Sequence, residues 1–148
     1  MLSRILIPLD GSSLSNTALN FAERVVKTQC EIILLMVVQD SDILTYDPNP
    51  KMNLNPEYSI VSNGFEAAKR HLEEAADTLR EHGYPTTICV EVGEPAQVIT
   101  RVANSLSVDM IVMSTHGRTG IDRLLHGSVT GQVLGAAAQP VLVVGGQK

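Results

Sequence analysis

Apolar residues along this chain repeat in two ways. Five short runs are apolar at nearly every position or at every second one: Ser3–Leu9, Ile32–Val38, Thr86–Val92, Asp109–Met113 and Pro140–Val144. Runs of this length predict β-strands. Between them the apolar spacing switches to three and four. Leu14, Ala18, Ala22 and Val25 form one stripe, with Ser12 or Ser13 placed to cap it. Val61, Phe65, Ala68, Leu72, Ala75 and Leu79 form a second, which stops at Gly83 and Pro85. Glu94-Pro95 opens a third helix carrying Val98, Ile99, Val102 and Leu106. A fourth starts near Ser128, carries Val129, Val133, Leu134 and Ala137, and halts before Pro140.

Strands alternating with helices predict a parallel sheet built from right-handed crossovers. The second and fourth strands are apolar almost throughout, as expected when helices cover both faces. The third alternates, with Thr86, Ile88, Val90 and Val92 set against Thr87, Cys89 and Glu91, which suits an edge. The expectation is a single-domain α/β protein over residues 1–148. Its five-stranded parallel sheet has the order 3-2-1-4-5 and helices on both faces, Rossmann-like or flavodoxin-like. Asp40–Glu57, with Pro48, Pro50 and Pro56 and no clear period, reads as a long loop, either a lid or a mobile connection.

Composition narrows the function. A net charge of −5 argues against a nucleic-acid or anionic-membrane partner, which calls for a basic face. At 44% apolar residues the chain is too hydrophobic for disorder, yet no apolar run approaches the ~20 residues needed to cross a bilayer. Ile5-Leu6-Ile7 comes almost at once with Asp10 close behind, which is not a signal-peptide layout, so the expected compartment is the cytoplasm. Cys30 and Cys89 lie in or beside strand-like segments and read as small buried thiols.

One passage stands apart. Ser114–Gly131, STHGRTGIDRLLHGSVTG, holds four glycines, two arginines and two histidines in an otherwise acidic chain. In a 3-2-1-4-5 sheet the connections turn opposite ways from strands one and four, leaving a ligand crevice at their carboxyl ends. Strand one ends there in Pro8-Leu9-Asp10-Gly11, and strand four in Met113-Ser114-Thr115-His116-Gly117. Gly117 and Gly120 permit sharp turns or close backbone approach. Gly127-Ser128-Val129-Thr130 begins the fourth helix, whose free amides and partial positive charge suit phosphate. Arg118, Arg123, His116 and His126 make the passage locally basic. Each piece alone has an ordinary explanation: a cap, a turn, a solvated charge. Their convergence on one crevice points to an anionic, phosphate-bearing ligand.

Pro8-x-Asp10 after strand one, with Gly117-x9-Gly127-Ser128 after strand four, resembles the universal stress protein family. The likeness covers essentially the whole chain, through ILIPLDGS, DMIVMSTHGRTG and LLHGSVTGQVL…QPVLVV. Nucleotide-binding members carry Gly, two residues, Gly, nine residues, then Gly with Ser or Thr. Here Ser114 stands at the first position, while Gly117, Gly127 and Ser128 match. The resemblance implies an adenine-nucleotide-binding stress or signalling protein holding ATP, ADP or AMP. It implies that Asp10 approaches the adenine or ribose side, with Pro8 and Leu9 lining the pocket and Val37 on adenine. Met113, Ser114, His116, Gly117 and Arg118 would border ribose and phosphates, and Gly127, Ser128, Val129 and Thr130 would hold the phosphates. Mg2+ or Mn2+ would come with the phosphates, Asp10 being the one candidate ligand. The resemblance also implies a homodimer through the last strand. Val141-Leu142-Val143-Val144 supplies a reason, being an apolar edge with no charged gatekeeper.

Enzymatic readings fit less well. There is no Walker A sequence, no lysine in the phosphate loop and no carboxylate pair at the crevice, so hydrolysis should be slow at most. A flavodoxin would stack its flavin on aromatics, but Tyr46, Tyr58 and Tyr84 are scattered and Trp is absent. A response regulator would want an acidic pair after strand one, where Asp10 stands alone, and a lysine ending strand five. An adenylating enzyme would want a glycine-rich serine loop after strand one. The main alternative is a nucleotide-free dimeric scaffold acting through an unidentified signalling partner.

Overall fold

A computed structural model of the chain describes residues 1–11, 15–39, 56–114 and 129–145. The described elements run β1 (Arg4–Leu9), α1 (Ser15–Val25), β2 (Glu31–Val38), α2 (Pro56–Glu81), β3 (Thr86–Val92), α3 (Pro95–Ser105), β4 (Met110–Ser114), α4 (Val129–Ala136) and β5 (Val141–Val144). The strands form one sheet in the order β3-β2-β1-β4-β5, every neighbouring pair parallel. That is the order and strand direction expected from the alternation of patterns. Each strand lies within one residue of its expected bounds at either end.

Apolar alternation divides the strand side chains between two cores. On one face Ile5, Ile7, Leu9, Ile32, Leu34 and Val112 pack against α1 and α2, which contribute Ala18, Leu19, Ala22, Leu72, Ala76 and Leu79. On the other, Leu6, Ile33, Leu35, Ile111 and Met113 pack against α3 and α4 through Ala96, Val98, Ile99, Val102, Ala103 and Val133. Truncating any of these central aliphatics to alanine would cost roughly 2–5 kcal/mol.

Three helix expectations are corrected. Val25 does not close the α1 stripe: it is 46% exposed, and Val26 turns inward instead. One residue of helical phase is 100° of rotation, so the bend that ends the helix decides between them. Leu134 and Val129, read as core-facing on α4, are exposed. Pro56 and Glu57, read as the end of a loop, are the first turn of α2; the remainder of that segment, 40–55, lies outside the described residues.

The amino ends of the strands are tied by polar side chains. Arg4 Nε donates to Glu31 Oε2 at 2.7 Å, and its Nη1 donates to the Leu106 carbonyl at 2.6 Å, joining β1, β2 and the end of α3. Glu31 Oε1 accepts from Thr87 Oγ1 on β3 at 2.9 Å. Asp109 Oδ2 accepts the backbone amides of Ser3 and Arg4 at 2.8 and 2.9 Å. These bonds lower both carboxyls from their ordinary range: for Glu31 the Arg4 bond leads and Thr87 follows, and for Asp109 the Ser3 and Arg4 amides lead. Cys30 is buried beside this network and Cys89 is half-buried on β3. Burial is the first cause raising each thiol, reinforced by Asp109 and Glu31 for Cys30 and by Glu91 for Cys89. Raised thiols are poor nucleophiles at neutral pH.

Candidate functional site

β1 and β4 are the neighbours at which the chain changes faces: α1 follows β1 on one side of the sheet, and α4 follows β4 on the other. Open α/β sheets place ligands at such a switch point, beyond the carboxyl ends of the strands. The ladder itself loosens here. β1 pairs with β2 along all six residues, from Arg4↔Glu31 to Leu9↔Met36. With β4 it pairs only through Ile5↔Met110 and Leu6↔Ile111, although both strands run three residues further.

Strand alternation decides which side chains can face a ligand on the α3–α4 side. Pro8 follows Leu6, Val37 follows Leu35, and Met113 follows Ile111, so all three share the face that α3 and α4 cover. Pro8 and Val37 are half-buried and Met113 is 6% exposed. Asp10, just past the strand, is exposed, and Gly11 after it takes φ +85°, a turn conformation natural to glycine. Ser114 ends β4 half-buried, in register with Val144. On α4, Val129 lies at the tip and is exposed, while Thr130 is buried at 8% exposure. Leu9 goes the other way. Its side chain is 4% exposed within the α1–α2 core, so it reaches the crevice only through its backbone. His116, Gly117, Arg118, Gly127 and Ser128 lie outside the described residues.

A second helix tip reaches the same edge and is chemically different. Gly93, with φ +150° and its amide on the Val38 carbonyl at 3.1 Å, turns the chain from β3 into α3. A Cβ there would sit 2.9 Å from Val98 Cγ2, so the turn requires glycine. Glu94 then caps α3, its carboxylate accepting from Ala96 N at 3.3 Å and Gln97 N at 2.9 Å. The α3 tip has therefore supplied its own anion. The first turn of α4 contains no acidic residue. Sequence reading found the start of α3 but missed that its cap removes it from contention; an acid directly before Pro95 at the first helical position was the available signal.

No group of three or more His, Cys, Asp or Glu among the described residues could hold a metal ion. No helix among them is long and apolar enough to cross a membrane.

Comparison with known proteins agrees with this architecture. Universal stress protein MJ0577 of Methanocaldococcus jannaschii is 31% identical over 155 residues, which span 97% of this chain and 95% of that protein. Universal stress protein MJ0531 of the same organism is 34% identical over 142 residues, 95% of this chain and 81% of that protein. The solved structure of MJ0577 superposes with a TM-score of 0.81 at 30% identity, covering 100% of this chain and 99% of that one. A universal stress protein family protein from Arabidopsis thaliana, solved with AMP bound, shares the fold at TM-score 0.73 and 15% identity, covering 98% of this chain and 92% of that one. The model of the universal stress protein family matches residues 1–145. From β1 to β5, then, the chain belongs to the universal stress protein family.

Proposed function

We propose that this stress protein binds an adenine nucleotide in the crevice at the carboxyl ends of β1 and β4, with its phosphates against the tip of α4. The observation that carries the reading is a juxtaposition. Pro8, Val37 and Met113 share one sheet face at the switch point, and the helix rooted on that face, α4, has no acidic residue in its first turn. A helix tip of this kind attracts negative charge. The AMP held by the Arabidopsis protein supports the reading, since it shows that this fold accommodates an adenine nucleotide.

In this reading Val37 and Pro8 contact the base, Asp10 the ribose or adenine edge, and Met113 and Ser114 the ribose. Gly117 and Gly127 give the backbone close access to phosphate, Ser128 and Thr130 donate hydroxyls, and Arg118 and His116 add positive potential. Leu9 contributes its backbone alone. A divalent ion would arrive with the phosphates and meet Asp10. Without a lysine clamp or a positioned base in the sequence, the site binds better than it reacts, and occupancy is the signal. The two unpaired cysteines suit a cytoplasmic location.

The same reading includes a homodimer. The two sheet edges differ: β3 carries Thr87 and Glu91, whereas β5 is Val-Leu-Val-Val with all four residues half-buried. An apolar open edge invites a second strand, and a two-fold copy of itself would satisfy both chains equally.

Heat-denaturing freshly purified protein and resolving the supernatant by anion exchange tests the reading. ATP, ADP or AMP in near-stoichiometric amount is the expected result. A nucleotide-free supernatant, with no heat of binding at millimolar AMP or ATP, would establish the scaffold alternative.

A further inference from the structure

We infer that Pro8 is a positioning residue that holds the crevice open by denying β4 a hydrogen bond; the inference rests on the nucleotide reading above for its functional half. The phase of the strand makes the argument. The Ser3 carbonyl accepts from Glu31 N at 2.9 Å, so residue 3 presents its carbonyl to β2. The Arg4 carbonyl accepts from Asp109 N at 2.8 Å, so residue 4 presents its carbonyl to β4. In a parallel ladder the backbone N–H and C=O of one residue point to the same neighbour, and successive residues alternate. Leu6 and Pro8 therefore turn their backbone polar groups to β4, while Ile5, Ile7 and Leu9 turn theirs to β2.

Proline has no amide hydrogen, and its ring carbon Cδ occupies the place the hydrogen would take. Continuing the register Ile5↔Met110, Leu6↔Ile111 by one step brings the residue 8 nitrogen opposite the Val112 carbonyl. That bond cannot form. The β1–β4 pairing ends at this step, whereas the β1–β2 pairing, which needs nothing from the nitrogen of residue 8, continues to Leu9↔Met36. One residue thus unzips a single side of a central strand, at the depth where Pro8, Val37 and Met113 share a face. Proline within a central strand is otherwise disfavoured because it forfeits a ladder bond. Here the forfeited bond separates the two strands between which the nucleotide is proposed to enter.

Two variants separate the missing hydrogen from the ring. Pro8→Ala restores the donor. A protein with L-lactic acid at position 8, made by ligating a synthetic segment of residues 1–29 to the remainder at Cys30, has neither donor nor ring. The readouts are hydrogen exchange of the new amide in Pro8→Ala and calorimetric affinity for AMP in all three proteins. The new amide should be protected on the order of a hundredfold over an unstructured one. Affinity should fall about tenfold or more in Pro8→Ala, tenfold being the worth of one ladder bond that must be broken to admit the ligand. Both variants lose the ring's contact with the base, so the effect of the hydrogen alone is read between them: the ester protein should bind AMP about tenfold more tightly than Pro8→Ala.

An unprotected amide at position 8 would overturn the inference, as would a protected amide with unchanged AMP affinity. An ester protein as impaired as Pro8→Ala would also overturn it, since the ring rather than the absent hydrogen would then matter. If the wild type takes up no AMP at millimolar concentration, the nucleotide reading fails separately. The ladder stop is then decided by exchange alone: protection upholds it, and free exchange removes it.

Discussion

The two ends of the sheet are built to opposite rules. At the amino end, Arg4, Glu31, Thr87 and Asp109 bond across β1, β2, β3 and the approach to β4, so side chains reinforce what the ladder already joins. At the carboxyl end the central β1–β4 ladder stops early, Asp10 is exposed, and glycines at 11 and 93 turn the chain. One end ties the strands together, and the other carries the proposed nucleotide site. Opening a central ladder is tolerable because the far end and two apolar cores hold the strands in place.

If this division is right, changes at each end should move different observables. Gly127→Val should have the largest effect, lowering AMP or ATP affinity more than about a hundredfold by filling phosphate space, since each tenfold is about 1.4 kcal/mol. Its thermal midpoint without ligand should stay close to the wild type, and calorimetry beside a melting scan would read both. Val143→Lys should convert the proposed dimer to monomer in sedimentation while AMP affinity persists; an unchanged sedimentation profile would remove the β5 interface from the account.

Arg4→Ala should do the reverse of Gly127→Val. It removes the bonds to Glu31 and to the Leu106 carbonyl, costing about 1–2 kcal/mol of stability given the partial exposure of the pair, with AMP affinity unchanged. Denaturant titration with and without ligand would show it. Asp10→Ala should weaken adenosine nucleotides about tenfold in calorimetry, a loss of one charge-assisted hydrogen bond.

The smallest effect is one of pH. Glu31 and Asp109 have folded pKa values below their unfolded ones, so their contribution to stability is complete above the ordinary carboxylate range near ~4 and disappears as pH falls through the folded values. Asp109→Asn should flatten part of the acid limb of a stability–pH curve. A limb of unchanged slope would show that the amino-end carboxylates do not drive acid unfolding.

Most of the fold was legible because it depends on local repeats. The two-residue period of Thr86–Val92 marked an edge strand, and Glu94-Pro95 marked a helix start, each within a few neighbouring residues. What escaped reading depends on distance or on phase. The Arg4 side chain meets Glu31 and Leu106 across 27 and 102 residues, and no local pattern announces such a pairing. Val25 and Val26 differ by one step of helix, yet one is exposed and the other buried. Leu134 fits an apolar stripe by spacing and is nonetheless half open to solvent, because α4 buries Thr130 and Val133 instead. Of the candidate site, Pro8, Asp10, Val37, Met113 and Ser114 could be placed at one edge of the sheet from strand order alone. Leu9 could not, since whether an alternating residue faces the ligand side or the opposite core is fixed only when the helices are assigned to faces.

The most direct test of the division between the two ends is a methyl NMR titration of nucleotide-stripped protein with AMP, following Val37, Met113, Val129 and Thr130 at one end and Leu2, Leu106 and Val108 at the other. Saturable shifts confined to the first group are the predicted result. Shifts concentrated in the second group, or none at millimolar AMP, would contradict it.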